Sequence, residues 1–313
     1  FEQWFRGGYW ADEALPPEYF AAFSRGCSKV AKHLHEKGWR DTIFEFYLNG
    51  KVQHKRGGWS RSSAVWTYDE PVNTQDFWAL RQFGLAFHEG VAPFRNEIRA
   101  AFRIDNSRPQ WMRDLLDGLV DVHIVGGAFR QYSDRVVERK RRFGEIAITY
   151  GTSNKVEASN LFPVAWCLES WSLGADGVLP WQTVGNPGSW DKDDELSLFY
   201  RGERVGKDHP LPSLRLKAYR RGQQDVEYLT LAAADREWVR TALRLDGDWR
   251  QEHSDDAGSV RYADLDPIRF WRMRQALGRH LDKLAPPPRK RLVEFKLPPR
   301  DPRSNRGRIY RVR

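Results

Sequence analysis

Short apolar runs alternate with longer stretches of helical periodicity between residues 42 and 235. This alternation predicts parallel strands joined by crossover helices, because parallel neighbours need a long return connection. The predicted strands are 42–48, 99–104, 120–125, 145–150 and 176–181, and 64–68 is a further candidate. The predicted helices between and after them are 76–92, 110–118, 130–143, 158–173 and 213–235. No glycine-rich phosphate turn follows any strand, so the pattern favours a (β/α) barrel over a doubly wound sheet.

The flanking segments read as helices and one long loop. A helix is expected over 18–38, ending at Gly38, with further helices over 236–245 and 265–284. Residues 182–212, rich in Gly, Pro and Asp, form a loop longer than a simple connection needs. We therefore expect three parts: a barrel domain over 1–235, helices packed on it over 236–285, and a basic proline-rich extended tail over 286–313.

Side-chain parity gives three of the strands one polar face, since alternate residues of a strand point to opposite sides. The polar sets are Glu45, Tyr47 and Asn49, then Arg99, Arg103 and Asp105, then Asp121 and His123. One interpretation is a structural ion-pair network, for example Arg103 with Glu45 or Asp121. The other is a binding site at the carboxyl ends of the strands, where barrel enzymes place their chemistry. Its candidate residues are Asp105, His123, Tyr150 and Trp181.

Two adjacent carboxylates, Asp69 and Glu70, follow an apolar run and are closed by Pro71. Proline removes the backbone donor that further strand pairing would need. An Asp-Glu pair is common, so its significance depends on its surroundings.

Composition limits the classes of function. No apolar run approaches the roughly 18 residues of a membrane helix, so a soluble protein is expected. Phe1 is not an initiator residue, which leaves the compartment open, with secretion or periplasmic export as alternatives. Two cysteines are too few for a disulfide framework or a four-ligand zinc site, and no His-Glu-x-x-His spacing occurs, so neither a metal nor another cofactor is expected.

The net charge of +9 lies almost wholly in the tail, where residues 289–313 hold ten basic side chains against two acids. Such a tail can bind nucleic acid, but this one has no aromatic interleaving and no recognised module. Nucleic-acid binding is therefore disfavoured, and a solvated arm packed along a domain is preferred.

Four segments occur in a familiar order. They are Tyr68-Asp69-Glu70-Pro71, Phe102-Arg103-Ile104-Asp105-Asn106-Ser107-Arg108-Pro109, Gly177-Val178-Leu179-Pro180-Trp181, and Pro212-Ser213-Leu214-Arg215-Leu216 with Asp225-Val226-Glu227-Tyr228-Leu229. In this order the chain, over 18–235, resembles the glycoside hydrolase family 123 catalytic domain and the wider domain of unknown function 4091 group. The resemblance implies a (β/α)8 TIM-type barrel that removes terminal N-acetylgalactosamine with retention. Because about five strands are counted here, it also implies that the barrel is incomplete at the N-terminus, completed by an upstream segment or a partner chain.

The resemblance also implies roles for the acid pair. Glu70 would protonate the leaving oxygen as general acid, and Asp69 would orient the 2-acetamido group. Neighbouring carboxylates cannot easily straddle a sugar, whereas substrate-assisted hydrolysis needs one acid and one orienting base. Tyr150 or Tyr47 would bind the acetamido carbonyl, Trp181 would stack on the sugar, and Asp105 and His123 would bind hydroxyls.

Two other functions stay open. The lengthened approach over 49–63 puts sugar identity in question, so a glycosidase for another sugar is one alternative. A non-catalytic carbohydrate-binding barrel that keeps the aromatic platforms is the other. In every case the expected partner is a glycan or glycoconjugate.

Overall fold

The structure is a computed structural model, and it describes residues 3–50, 65–127, 129–151, 155–185, 187–192, 194, 196–250 and 259–284. The chain divides into two compact units. Among the described residues, the first unit comprises 3–125 and 134–147, and the second comprises 126–133 and 148–284.

Helices and strands alternate along the first unit as the sequence predicts. Its elements are α1 (Ala11–Ala14), α2 (Pro17–Glu36), β1 (Ile43–Tyr47), α3 (Thr74–Val91), a 3-10 turn (Ala92–Phe94), β2 (Arg99–Asp105), α4 (Pro109–Met112) and β3 (Val122–Val125). The next two elements, α5 (Phe129–Phe143) and β4 (Ile146–Gly151), each contribute residues to both units.

The second unit is mainly helical. Its elements are α6 (Leu161–Ser172), β5 (Gly177–Pro180), α7 (Pro187–Lys192), β6 (Phe199–Tyr200), a 3-10 turn (Gly202–Val205), β7 (Leu211–Pro212), α8 (Leu214–Leu231), α9 (Arg236–Leu243), β8 (Asp248–Arg250), β9 (Ser259–Arg261) and α10 (Pro267–Leu284). The predicted loop over 182–212 thus contains short elements of its own. The short strands form two antiparallel pairs, β6 with β7 and β8 with β9.

Five strands form a sheet in the order β1-β2-β3-β4-β5. The pairing is parallel, with Ile43 opposite Arg99 at the start of β1 and Ile148 opposite Gly177 in β4. Parallel strands joined by helices confirm the predicted α/β class. The described residues give five such strands, whereas a complete (β/α)8 barrel would have eight.

The structure differs from the sequence pattern in two places. Residues 65–68 form no strand, although Trp66 and Tyr68 are buried; residue 64 lies outside the described residues. The backbone N–H of Tyr68 bonds the Gly50 carbonyl at 2.8 Å and that of Thr67 bonds a side chain, so burial here comes without a strand ladder. The helix expected over 110–118 ends at Met112, because Arg113 adopts a positive φ of 50°.

Apolar side chains of α2 and α3 form the core of the first unit together with β1 and β2. Helix α2 ends at Glu36, and the predicted Gly38 terminates it in a Schellman motif: the N–H of Trp39 bonds the Leu34 carbonyl at 3.2 Å, and Gly38 has φ 69°. Gly90 allows α3 to approach α2 closely, since a Cβ there would lie 2.3 Å from the Ser24 carbonyl oxygen. A separate core in the second unit is centred on α6 and α8.

Among the residues that the structure describes, no helix combines the length and hydropathy required to span a membrane.

Candidate functional site

The acid pair lies on a turn that Asp76 organises from the first turn of α3. The Asp76 carboxylate accepts hydrogen bonds from the backbone N–H groups of Thr67, Val72 and Asn73 at 3.0, 2.9 and 3.2 Å. In return, the Asn73 side chain accepts from the Asp76 N–H at 2.9 Å, completing a capping box at the start of α3. The loop that carries Asp69 and Glu70 is therefore fixed on both sides of the pair.

Glu70 is the more constrained of the two acids. Its φ of 62° lies in the left-handed region, which non-glycine residues seldom adopt and which clusters at functional sites. Its backbone N–H bonds the Asp105 carbonyl at 3.1 Å. Its carboxylate is 0% exposed and accepts two hydrogen bonds from Ser107, from the backbone N–H to Oε2 and from Oγ to Oε1, both at 2.7 Å.

Asp69 is only partly buried, and it contacts Tyr47. The Tyr47 hydroxyl donates a hydrogen bond to the Asp69 carboxylate. Burial, followed by the carboxylates of Asp105 and Asp69, raises the pKa of Tyr47 far above its ordinary value, so its phenol stays protonated and remains a donor. Tyr47 is the last residue of β1, which places this contact at the carboxyl end of the strand.

Arg103 joins the polar side chains of β1 and β2. It donates to both carboxylate oxygens of Asp105 at 2.8 Å and to Glu45 at 2.9 Å, and its guanidinium lies 4.5 Å from the centre of the Tyr47 ring. The structural ion pair considered for Arg103 and Glu45 is therefore present. Burial raises the pKa of Asp105, and the hydrogen bonds from Arg103 offset only part of that shift.

His123 is fully enclosed on β3. Its Nδ1 lies 3.4 Å from Glu145 and its Nε2 lies 3.4 Å from the side-chain nitrogen of Asn106. Arg139 also pairs with Glu145 and with Asp117. Burial alone would raise the pKa of Glu145, but the nearby His123 and Arg139 side chains outweigh burial and lower it.

Tyr150 and Trp181 lie together in the second unit, whereas the other predicted site residues belong to the first. Their ring centroids are 5.8 Å apart in an edge-to-face arrangement, and the Trp181 N–H bonds the Gly151 carbonyl at 2.8 Å. Trp181 is 44% exposed directly after β5, and it therefore presents an aromatic surface to solvent.

A further buried carboxylate, that of Glu169 on α6, has no counterpart in the sequence predictions. It accepts from Arg130, from the Gly247 N–H at 3.2 Å, from Trp249 Nε1 at 3.1 Å and from the Tyr262 hydroxyl at 2.7 Å. Burial raises the pKa of Glu169 despite these donors. With so many donors directed at it, the carboxylate fastens the β8-β9 hairpin to α6.

Sequence reasoning missed Asp76 and Ser107, which together hold the acid pair in place. A signal existed for Asp76, because Asn73 followed three residues later by an acid is a helix-start pattern. No local pattern indicates Ser107, since it lies 37 residues from Glu70 in the chain. Within the described residues, no cluster of three or more His, Cys, Asp or Glu side chains is arranged to hold a metal ion.

No family model matches the chain, and no curated protein gives a significant match. Among solved structures, the fold is similar to that of a family 123 glycoside hydrolase from Clostridium perfringens, studied for glycolipid glycan hydrolysis. The TM-score is 0.50 and the sequence identity 12%, with 86% of this chain and 46% of that chain covered. The present chain thus spans about half of that structure. At this identity the likeness is one of fold.

Proposed function

We propose that this chain is a glycoside hydrolase domain that cleaves terminal N-acetylhexosamine, with N-acetyl-β-galactosaminides as the favoured substrates. The observation that carries the proposal is the position of the Asp69-Glu70 pair. It is bonded to the carboxyl ends of the parallel strands β1 and β2, in a fold similar to that of a family 123 enzyme. Parallel α/β folds place their ligand sites at this edge.

The geometry supports substrate-assisted chemistry over a two-carboxylate mechanism. In ordinary retaining enzymes the two carboxyl groups flank the sugar roughly 5–5.5 Å apart on opposite sides. Here the acids are consecutive residues of one loop. One orienting carboxylate and one proton donor suit a reaction in which the substrate supplies its own nucleophile, because no second carboxylate then has to attack the anomeric carbon.

In the proposed reaction, Asp69 accepts the acetamido N–H and the acetamido oxygen attacks the anomeric carbon. The glycosidic bond breaks as Glu70 gives its proton to the leaving oxygen, which leaves a cyclic intermediate whose positive charge Asp69 stabilises. Water then opens this intermediate and returns a proton to Glu70, with net retention. Because Glu70 is fully buried, the proposed reaction requires a rearrangement that exposes its carboxyl group when substrate binds.

The remaining predicted residues take supporting roles. Since the Tyr47 hydroxyl bonds Asp69, we assign Tyr47 to orienting that carboxylate. Tyr150 and Trp181 belong to the second unit, and their contact with a sugar stays a prediction from the sequence. Asp105 and His123 are engaged by Arg103 and Glu145, and their contact with sugar hydroxyls stays a prediction.

A matched panel of nitrophenyl glycosides tests the proposal. Pairs of sugars that differ only in the 2-acetamido or 2-hydroxyl group are incubated with the chain, and released nitrophenol is measured. Hydrolysis restricted to the 2-acetamido members supports the proposal. Turnover of the 2-hydroxyl sugars points instead to another glycosidase. Binding of intact glycan by calorimetry without any product identifies a carbohydrate-binding barrel.

A further inference from the structure

Ser107 contacts both carboxylate oxygens of Glu70. The backbone N–H of Ser107 donates to Oε2 and the hydroxyl donates to Oε1, both at 2.7 Å, and both residues are 0% exposed. The Glu70 N–H adds a third bond to the same segment, at the Asp105 carbonyl. Residues 105–107 therefore fix both the backbone and the carboxyl group of Glu70.

We propose that Ser107 is the positioning residue that keeps the Glu70 carboxyl in one orientation through both halves of its acid–base cycle. This inference rests on the proposed function. A carboxylate oxygen has two acceptor sites, so Oε1 can accept the Ser107 hydroxyl at one and carry its proton at the other. Oε2, which accepts an N–H, then serves as the carbonyl oxygen of the acid. Neither Ser107 bond has to break when Glu70 loses or regains its proton.

Ser107 therefore acts on proton delivery alone. Its removal leaves Asp69, Tyr47 and the acetamido nucleophile in place, and the rate falls in proportion to the need of the leaving group for a proton. Loss of one hydrogen bond to a charged group corresponds to a decrease in rate of about ten- to a hundredfold. A serine whose role is only structural would slow all substrates equally.

The experiment compares Ser107→Ala with wild type on N-acetylhexosaminides that carry good and poor leaving groups. The expected result is a loss of ten- to a hundredfold in kcat on poor leaving groups, with dinitrophenyl substrates little changed. Ser107→Thr, which keeps a hydroxyl, restores most of the rate on poor leaving groups. In a Glu70→Gln background, Ser107→Ala has no further effect. The control is Ser24→Ala, another buried serine of the first unit, on α2.

The outcomes separate the two proposals. Wild type that hydrolyses no glycoside removes the proposed function itself. Two results with an active wild type overturn the role of Ser107 and leave the proposed function standing. In one, Ser107→Ala slows every substrate alike. In the other, the rate losses of Ser107→Ala and Glu70→Gln are fully additive in the double variant. If Ser107→Ala unfolds, as its melting curve would show, Ser107→Cys against wild type decides, because a thiol is a weaker donor than a hydroxyl: a loss confined to poor leaving groups supports the role, and no loss on any substrate overturns it. Loss on all substrates contradicts it.

Discussion

The Asp76 carboxylate accepts a hydrogen bond from the Thr67 backbone N–H, nine residues earlier in the chain, at 3.0 Å. The same carboxylate accepts from Val72 and Asn73, so one side chain in the first turn of α3 closes the loop over 67–73. Asp69 and Glu70 lie at the centre of this loop. The helix start and the candidate acid pair are thus one structural unit.

Asp76→Ala should lower kcat even under conditions where the variant is fully folded, because the loop that carries Asp69 and Glu70 loses its support. Loss of the capping box and of the loop contacts should lower the free energy of unfolding by about 1–3 kcal/mol. Urea unfolding measures this term, and kcat on an N-acetylhexosaminide measures the effect on the pair. Asp134→Ala, an exposed acid on α5, is the control and should change stability by less than about 0.5 kcal/mol. Full activity in folded Asp76→Ala would show that the loop does not depend on this carboxylate.

Substitutions of the acid pair should differ in their dependence on the leaving group. Glu70→Gln cannot donate a proton and should lose roughly 10²–10⁴-fold on unactivated glycosides while sparing substrates with good leaving groups. Asp69→Asn should impair both kinds, because the acetamido group is no longer oriented whichever group leaves. Steady-state kinetics on both substrate types checks this. Equal, unimpaired turnover by the two variants would rule out the assignment.

Tyr47→Phe removes the hydroxyl that bonds Asp69 but keeps the ring that packs against Arg103. We expect about a tenfold loss in kcat with a change in unfolding free energy near 1 kcal/mol, the usual net worth of one hydrogen bond. The control is Tyr9→Phe, an exposed tyrosine of the same unit. Unchanged kcat in Tyr47→Phe would mean that Asp69 needs no help from this phenol.

Much of this arrangement could be predicted from parity and strand order. Glu45, Tyr47, Arg103 and Asp105 fall on one face because strands have a period of two, and the contacts of Arg103 join all of them. Contacts between distant loops could not be predicted. Glu70 meets Ser107 because two loops approach each other, and neither has a periodic pattern. The apolar pattern over 64–68 predicts a strand, whereas residues 65–68 form a buried loop, because an apolar run alone does not distinguish the two.

Acid should destabilise the first unit through Glu145. The pKa of this carboxylate is lowered in the folded protein by His123 and Arg139, which together outweigh burial. Its contribution to stability is therefore present above its unfolded pKa, about 4.3, and is lost as the pH falls through the lower folded value. Glu145→Gln should be less stable near neutral pH, and its stability should fall less steeply below pH 4.3. Urea midpoints from pH 7 to pH 3 test this, and parallel curves for the two proteins would contradict it.

Gly247→Ala should disrupt the attachment of the β8-β9 hairpin to α6. A Cβ at this position would lie 2.5 Å from Glu169 Oε2 and 3.0 Å from the Tyr262 ring, so the buried carboxylate would have to shift away from Trp249 and Tyr262. Leaving such a group poorly bonded costs about 1–3 kcal/mol or more. Gly278→Ala is the matched control, because no atom lies within 4 Å of a Cβ built there in α10. Alanine favours a helix over glycine by about 0.8–1 kcal/mol, so this variant should melt higher. A higher melting temperature for both variants would contradict the prediction, because it would mean that the Glu169 carboxylate can accommodate a Cβ at Gly247 without losing its hydrogen bonds.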